Sequence, residues 1–291
     1  MDGQQKLIDD CIAVLKRNNV GGWTKPTTEL YPHQWLWDSC FIAIGQRHFD
    51  VKKAQKEIKN IFRGQWKNGM VPNIIYGNAK RYSDDIWHSN VSRYAPKKIK
   101  TSDITQPPMI AEAIIKVGEK LSSTERKKWY KSVFPQLLAY HEWLYRERDP
   151  RAEGLVVLVH PWETGLDNTP SWMKEMHLSR LPTWIRIVKH FKLYAPFNVL
   201  RRDTKFLPAY QRIDIIDALG LFSIVSRLRH KKYETGRMLR HARVTIQDVS
   251  FNSILIRAND HLMTIAKESS SDIPAWLLYR FKKARGALDE L

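Results

Sequence analysis

Hydrophobic residues recur at three- and four-residue steps along most of this chain, a period that commits it to a helical scaffold. In TIQDVSFNSILIRANDHLMTIAKE, Ile246, Val249, Ile254, Leu255, Ala258, Leu262 and Ile265 recur mostly at three- and four-residue steps, and Thr245 with Asp248 reads as a capping box. A second capping box, Ser122 with Glu125, opens a helix running through YKSVFPQLLAYHEWLYRERD, in which Pro135 is expected to introduce a kink or a break. Further helices are expected near Gln4–Arg17, Trp35–Gln46, Val51–Phe62, Pro108–Lys120, Phe206–Leu228 and Pro274–Leu288. The clearest strand signal is Leu155–His160, short and rich in β-branched residues. With no fixed-length repeat and no low-complexity linker, the reading is one all-α domain of paired helices over residues 1–291.

Two segments between the helices carry the functional signal. The stretch from Gly69 to Thr105 is rich in Pro, Gly, Asn, Ser and aromatics, and a loop of that length inside a compact domain is functional or disordered. Its aromatics argue against disorder. The stretch HPWETGLDNTPSW, His160 to Trp172, crowds carboxylates, indoles, glycine and proline directly after the apolar run LVVLV. Both are expected to converge at one end of the helical scaffold.

Composition narrows the function classes. The 48 Lys and Arg against 30 Asp and Glu leave a formal charge of +18, a balance often found in nucleic-acid binders. Here the basic residues are scattered: KKIK at 97–100 and RLRHKK at 227–232 are short, and no recognisable nucleic-acid motif accompanies them. A basic surface suited to an anionic small substrate fits better than nucleic acid. Cys11 and Cys40 stand apart without metal-ligand or CxxC spacing, so neither a disulfide framework nor a metal site is expected, and both read as buried thiols. Without a run of 18 apolar residues or a signal peptide, the chain reads as a cytoplasmic protein with no membrane partner and no cofactor.

What the loops offer is carbohydrate chemistry. Flat aromatic faces cover the apolar side of a pyranose, while carboxylates and amides take its hydroxyls. YPHQWLWDS supplies Tyr31, Trp35, Trp37 and Asp38; RYSDDIW supplies Tyr82; ITQPP supplies Gln106; and the 160–172 stretch supplies Trp162, Glu163, Asp167, Asn168 and Trp172. Each cluster has a plainer reading, because tryptophans fill cores and Asp38 stands where it could brace a helix start. For Glu163 the plainer role, bracing its loop through hydrogen bonds, is preferred.

Taken in order, YPHQWLWDSCFIAIG, GMVPN, SDITQPP and GLVVLVHPWETGLDNTPSW resemble the six-hairpin glycosidases of glycoside hydrolase family 63, in particular the mannosylglycerate and glucosylglycerate hydrolase group. Trehalases share looser versions of the tryptophan-aspartate, PN and QPP blocks, so a trehalase-like or processing α-glucosidase-like activity is an alternative. The resemblance implies an (α/α)6 barrel with its site in the loops at one mouth. It also implies inverting hydrolysis of a small α-glycoside, with Asp167 of the GLDN element as general acid. By the same resemblance Tyr31, Trp35, Leu36, Trp37 and Asp38 bind the sugar of the innermost subsite, and Tyr82, Gln106 and Gly165 match further binding positions.

This sequence departs from the family in two places. Where members carry an aspartate after the final SW, this chain has Met173. The family's general base is a glutamate in the last third of a longer chain, and this sequence stops at Leu291, before the last hairpins of the expected barrel. No aspartate among Asp203, Asp214, Asp217, Asp248 and Asp272 reads as a substitute, since all lie in helical or capping contexts. An inactive or split carbohydrate-binding fragment is therefore a further alternative. The apolar helix faces of a partial barrel are expected to favour association with a second copy or with a completing chain.

Overall fold

The structure, a computed structural model, describes residues 3–28, 30–77, 89–166, 170–178, 181–200, 207–240 and 245–290. Helices dominate: α1 (Gly3–Arg17), α2 (Leu36–Gln46), α3 (Val51–Arg63), α4 (Ile110–Gly118) and α5 (Ser123–Glu147) build the first half. The second half holds α6 (Pro170–Leu178), α7 (Thr183–His190), α8 (Ala195–Leu200), α9 (Ile215–His230), α10 (Thr235–Arg240), α11 (Val249–Ser269) and α12 (Ala275–Asp289). Two short strands, β1 (Gln34–Trp35) and β2 (Ile74–Ile75), pair antiparallel, with Gln34 opposite Ile75 and Trp35 opposite Ile74. This ribbon lies at the start of α2, so it fixes the entry of the chain into the helix that carries Trp37 and Asp38.

The core is a set of helices packed on one another, α2 on α3 and α4, α4 on α11, α11 on α5 and α12. Ile58, Ile110, Ile114, Leu137, Leu144, Phe251, Leu262 and Ile265 are its fully buried centre. Polar stitches cross it. His141 Nδ1 donates to Asn259 Oδ1 at 2.9 Å, and Asn259 Nδ2 donates to the Tyr145 hydroxyl at 2.6 Å, tying α5 to α11. Burial pushes His141 down to about 4, so the ring is neutral and can keep this arrangement at physiological pH. A smaller cluster of Ile185, Val188, Ile216 and Leu219 joins α7 to α9.

The expected capping box of α5 is present: Glu125 N donates to Ser122 Oγ at 3.4 Å, and Ser122 N donates to Glu125 Oε2 at 3.1 Å. Several local expectations need correction. Pro135 does not divide α5, because it stands on the solvent face between Val133, Phe134 and Leu137, whose burial holds the helix through the missing hydrogen bond. The N-cap of α11 is Asp248 itself, accepting from Phe251 N at 2.7 Å, so Thr245 is not part of a capping box. Leu155–His160 forms no strand. It contributes one isolated bridge, Leu158 to Ile246, because its other partners are side chains and the Arg148 carbonyl, which accepts from Val157 N at 2.9 Å, and not a neighbouring strand. The helix expected from Phe206 starts only at Ile215, where Asp214 caps it by accepting from Ile216 N at 2.8 Å. Cys40 is buried as expected, whereas Cys11 is exposed on α1, a helix with no buried residue. Among the described residues no helix is long and apolar enough to cross a membrane.

Candidate functional site

Three of the motif segments meet around Trp37. Its backbone N–H donates to Gln106 Oε1 at 3.5 Å, linking α2 to the ITQPP segment. Its indole lies against Gly165, which adopts a left-handed φ of 72°; a Cβ built there would come within 2.6 Å of Trp37 Cζ2 and Cη2. Glycine at 165 thus serves both the turn and the close approach of the ring. On the other side Trp37 leans on Phe41, ring centroids 5.7 Å apart, and Tyr31 meets Trp35 edge-on at 5.4 Å. Trp35, Trp37, Asp38 and Tyr31 are half-buried, so each keeps part of its surface open.

Behind these groups lies a buried polar frame. Glu163 is fully buried and makes a bidentate pair with Arg148, Oε1 accepting from Nη2 at 2.6 Å and Oε2 from Nη1 at 3.0 Å. The same carboxylate accepts from Val159 N at 2.7 Å and Thr105 N at 3.4 Å. Glu163 therefore bolts the PWETG segment to the segment that carries Gln106. Thr105 Oγ1 and the Tyr140 hydroxyl share a hydrogen bond of 2.6 Å, and that hydroxyl reaches the Gln106 carbonyl at 3.2 Å. Arg148 is itself cradled by Trp143, 5.1 Å from its ring centroid. Such a pair is costly to desolvate, and its return is geometry: two loops held in one fixed relation.

His160 completes the frame. As N-cap of the 3-10 turn Pro161–Thr164, it accepts from Trp162 N through Nδ1 at 3.1 Å, and Nε2 donates to the Leu221 carbonyl at 3.3 Å. These partners fix the Nε2–H tautomer, and burial pushes the ring down to about 3, so it stays neutral. Beside the frame, Asp103 is buried with neither oxygen in good hydrogen-bond geometry. The Tyr233 hydroxyl is a donor at the edge of that geometry, and desolvation drives the acid well above the usual carboxylate range.

Of the sequence-predicted positions, Tyr31, Trp35, Trp37, Asp38, Gln106 and Gly165 come together on or beside the α2 entry, and half-buried Trp162 packs on His160 at 4.7 Å. Leu36 and Trp172 are core residues, exposed by 2% and 0%, and Glu163 is engaged as described. Asp167, Asn168 and Tyr82 lie outside the described residues. Arg148, Tyr140 and Asp103 escaped the sequence reading: Tyr140 and Arg148 sit in and at the end of a long helix, where nothing in RERDP marks the arginine as buried, and Asp103 was hidden inside SDITQPP. Among the described residues no group of three His, Cys, Asp or Glu side chains converges as a metal site would require.

The helical core and this loop-built mouth define the class: the architecture is that of the six-hairpin toroid of the family 63 glycoside hydrolases. A crystal structure of the GH63 mannosylglycerate hydrolase from Thermus thermophilus in complex with Tris and D-glycerate superimposes with a TM-score of 0.84 at 34% identity, covering 98% of this chain and 65% of that one. Residues 31–290 match the mannosylglycerate hydrolase MGH1-like glycoside hydrolase domain, and the chain belongs to that family. Among its relatives, the mannosylglycerate hydrolase of another Thermus thermophilus strain is 38% identical over 275 residues, 92% of this chain and 62% of the relative. A glucosylglycerate hydrolase of Mycolicibacterium hassiacum is 33% identical over 272 residues, 88% of this chain and 57% of the relative. The chain thus spans less than two thirds of the length of these relatives.

Proposed function

We propose that this protein hydrolyses the α-glycosidic bond of a small anionic glycoside of the mannosylglycerate or glucosylglycerate type, by an inverting acid–base route. The observation that carries the reading is the placement of Trp37 at the junction of three motif segments, held by Gln106 and by Gly165, two residues before Asp167. Trp37 and Trp35 offer ring faces to a pyranose, and Asp38 and Gln106 offer acceptors and donors to its hydroxyls. In this route Asp167 gives its proton to the glycosidic oxygen as the C–O bond breaks, and water bonds to the anomeric carbon as it loses a proton to a general-base carboxylate on the opposite face, which the family resemblance assigns to a glutamate outside residues 1–291. Inverting sites keep the two carboxyl groups about 6.5 to 9.5 Å apart to admit that water. The formal charge of +18 favours approach of an anionic aglycone.

A second reading is sugar binding without turnover. It is favoured by the state of Glu163, which is locked between Arg148 and two backbone amides and so is not free to activate water. One experiment separates the two. Purified protein is incubated with each glycoside while released sugar is followed by NMR, and binding is measured by calorimetry. Sugar release with the inverted anomer appearing first, abolished in Asp167→Asn, supports hydrolysis. Binding heat that disappears in Trp37→Ala, without release, supports the second reading; neither heat nor release removes both.

A further inference from the structure

A groove of about 390 Å³ opens between the first turn of α7 and the outer face of α9, lined by Pro182, Trp184, Phe222, Ser223, Ser226, Arg227 and His230. Its α9 residues follow helical spacing: Phe222, Ser226 and His230 form one row, Ser223 and Arg227 the adjacent one. Leu221, Val225 and Leu228 point the other way, into the protein, and the Leu221 carbonyl is the acceptor of His160. The groove is therefore on the opposite face of α9 from the frame behind Trp37.

Its chemistry is divided in two. Trp184 and Phe222 are exposed by 40% and 41%, an unusual cost for two large rings facing one hollow unless something covers them. Arg227 supplies positive charge and His230 a ring N–H, and among the described residues neither side chain has an ion-pair or hydrogen-bond partner. Among the described residues no acid lines the groove. In the first turn of α7 the Ile185 and Arg186 amides donate to the Pro182 carbonyl at 3.0 and 3.1 Å, which leaves the Trp184 N–H as the lining amide that no cap acceptor takes. The position of Arg227 near the C-terminal end of α9 accounts for a cation there by the helix dipole, but not for the two exposed rings opposite it. Volume, aromatic walls and a few converging polar groups are what a small-molecule site requires.

We propose that this groove binds a small ring compound carrying one oxyanion, carboxylate or phosphate, the ring lying against Trp184 and Phe222 and the oxyanion at Arg227, His230 and the Trp184 amide. The proposal does not depend on the glycosidase reading. Calorimetry with four probes tests it: phenyl phosphate, benzoate, inorganic phosphate and benzyl alcohol. Phenyl phosphate or benzoate should bind at least tenfold more tightly than either inorganic phosphate or benzyl alcohol, and the tighter of the two identifies the head group. Arg227→Gln with His230→Gln, and separately Trp184→Ala, should each weaken that probe at least tenfold while leaving the thermal midpoint unchanged. Trp37→Ala should leave its affinity intact. Equal affinity for inorganic phosphate and phenyl phosphate, no binding of any probe at 10 mM (about a −2.7 kcal/mol ceiling), or loss of binding in Trp37→Ala with retention in the groove variants would overturn it.

Discussion

Glu57 lies on α3 beneath the entry to α2, exposed by only 1%. Its Oε1 accepts from Ser39 Oγ at 2.6 Å and from Gln34 Nε2 at 3.2 Å, residues that bracket Trp35, Trp37 and Asp38. Burial, which outweighs these hydrogen bonds, raises its carboxyl from 4.5 to about 7. A carboxyl whose folded pKa lies above its unfolded one stabilises the fold fully below pH 4.5, and that contribution is lost as pH rises through about 7. At about 1.4 kcal/mol per unit, the whole span is worth about 3 kcal/mol, most of which falls between pH 5 and pH 8. Glu57→Gln keeps the shape and an acceptor for Ser39 and Gln34 but cannot ionise. Urea unfolding at pH 5 and pH 8 should therefore show wild type losing about 2 to 3 kcal/mol more than the variant. Other groups titrate equally in both proteins, so the difference isolates Glu57. An equal loss in the two proteins would refute the reasoning.

Three further substitutions test the frame and the fold. Arg148→Met strands Glu163 in the core and should cost about 3 to 5 kcal/mol in urea unfolding; adding Glu163→Leu should recover part of that loss, and a single variant within about 1 kcal/mol of wild type would contradict the buried pair. Gly165→Ala combines left-handed strain of about 1 to 2 kcal/mol with displacement of the Trp37 ring, so calorimetry should record at least a tenfold loss of glycoside affinity beside a modest fall in stability. Asp248→Ala should lower stability by about 0.5 to 2 kcal/mol, whereas Thr245→Ala should leave it unchanged; the opposite ranking would restore the capping box first read from the sequence.

The helices were legible because an apolar period of three to four residues follows from burying one face, and α2, α3, α11 and α12 begin and end within a few residues of where that pattern places them. Leu155–His160 misled for a physical reason. Its β-branched run is buried among side-chain partners, Asn252 for Val156 and Glu163 for Val159, which satisfy the backbone without a neighbouring strand. The meeting of Trp37, Gln106 and Gly165 was legible only as a family resemblance, since three segments more than fifty residues apart carry no local signal of contact. Arg148 and Glu57 were invisible for a different reason: a charged residue on a helix reads as solvated until packing shows what has been placed over it.

A single carboxylate receiving the amides of Thr105 and Val159 as well as a guanidinium leaves the two site loops no independent hinge. They must shift together, as one jaw, or the buried charge is broken apart. Altering which ligand the mouth accepts by lengthening either loop near Glu163 would therefore disturb both walls at once, whereas exchanging side chains at the rim, such as Tyr31 or Phe41, leaves the jaw rigid and changes only its lining.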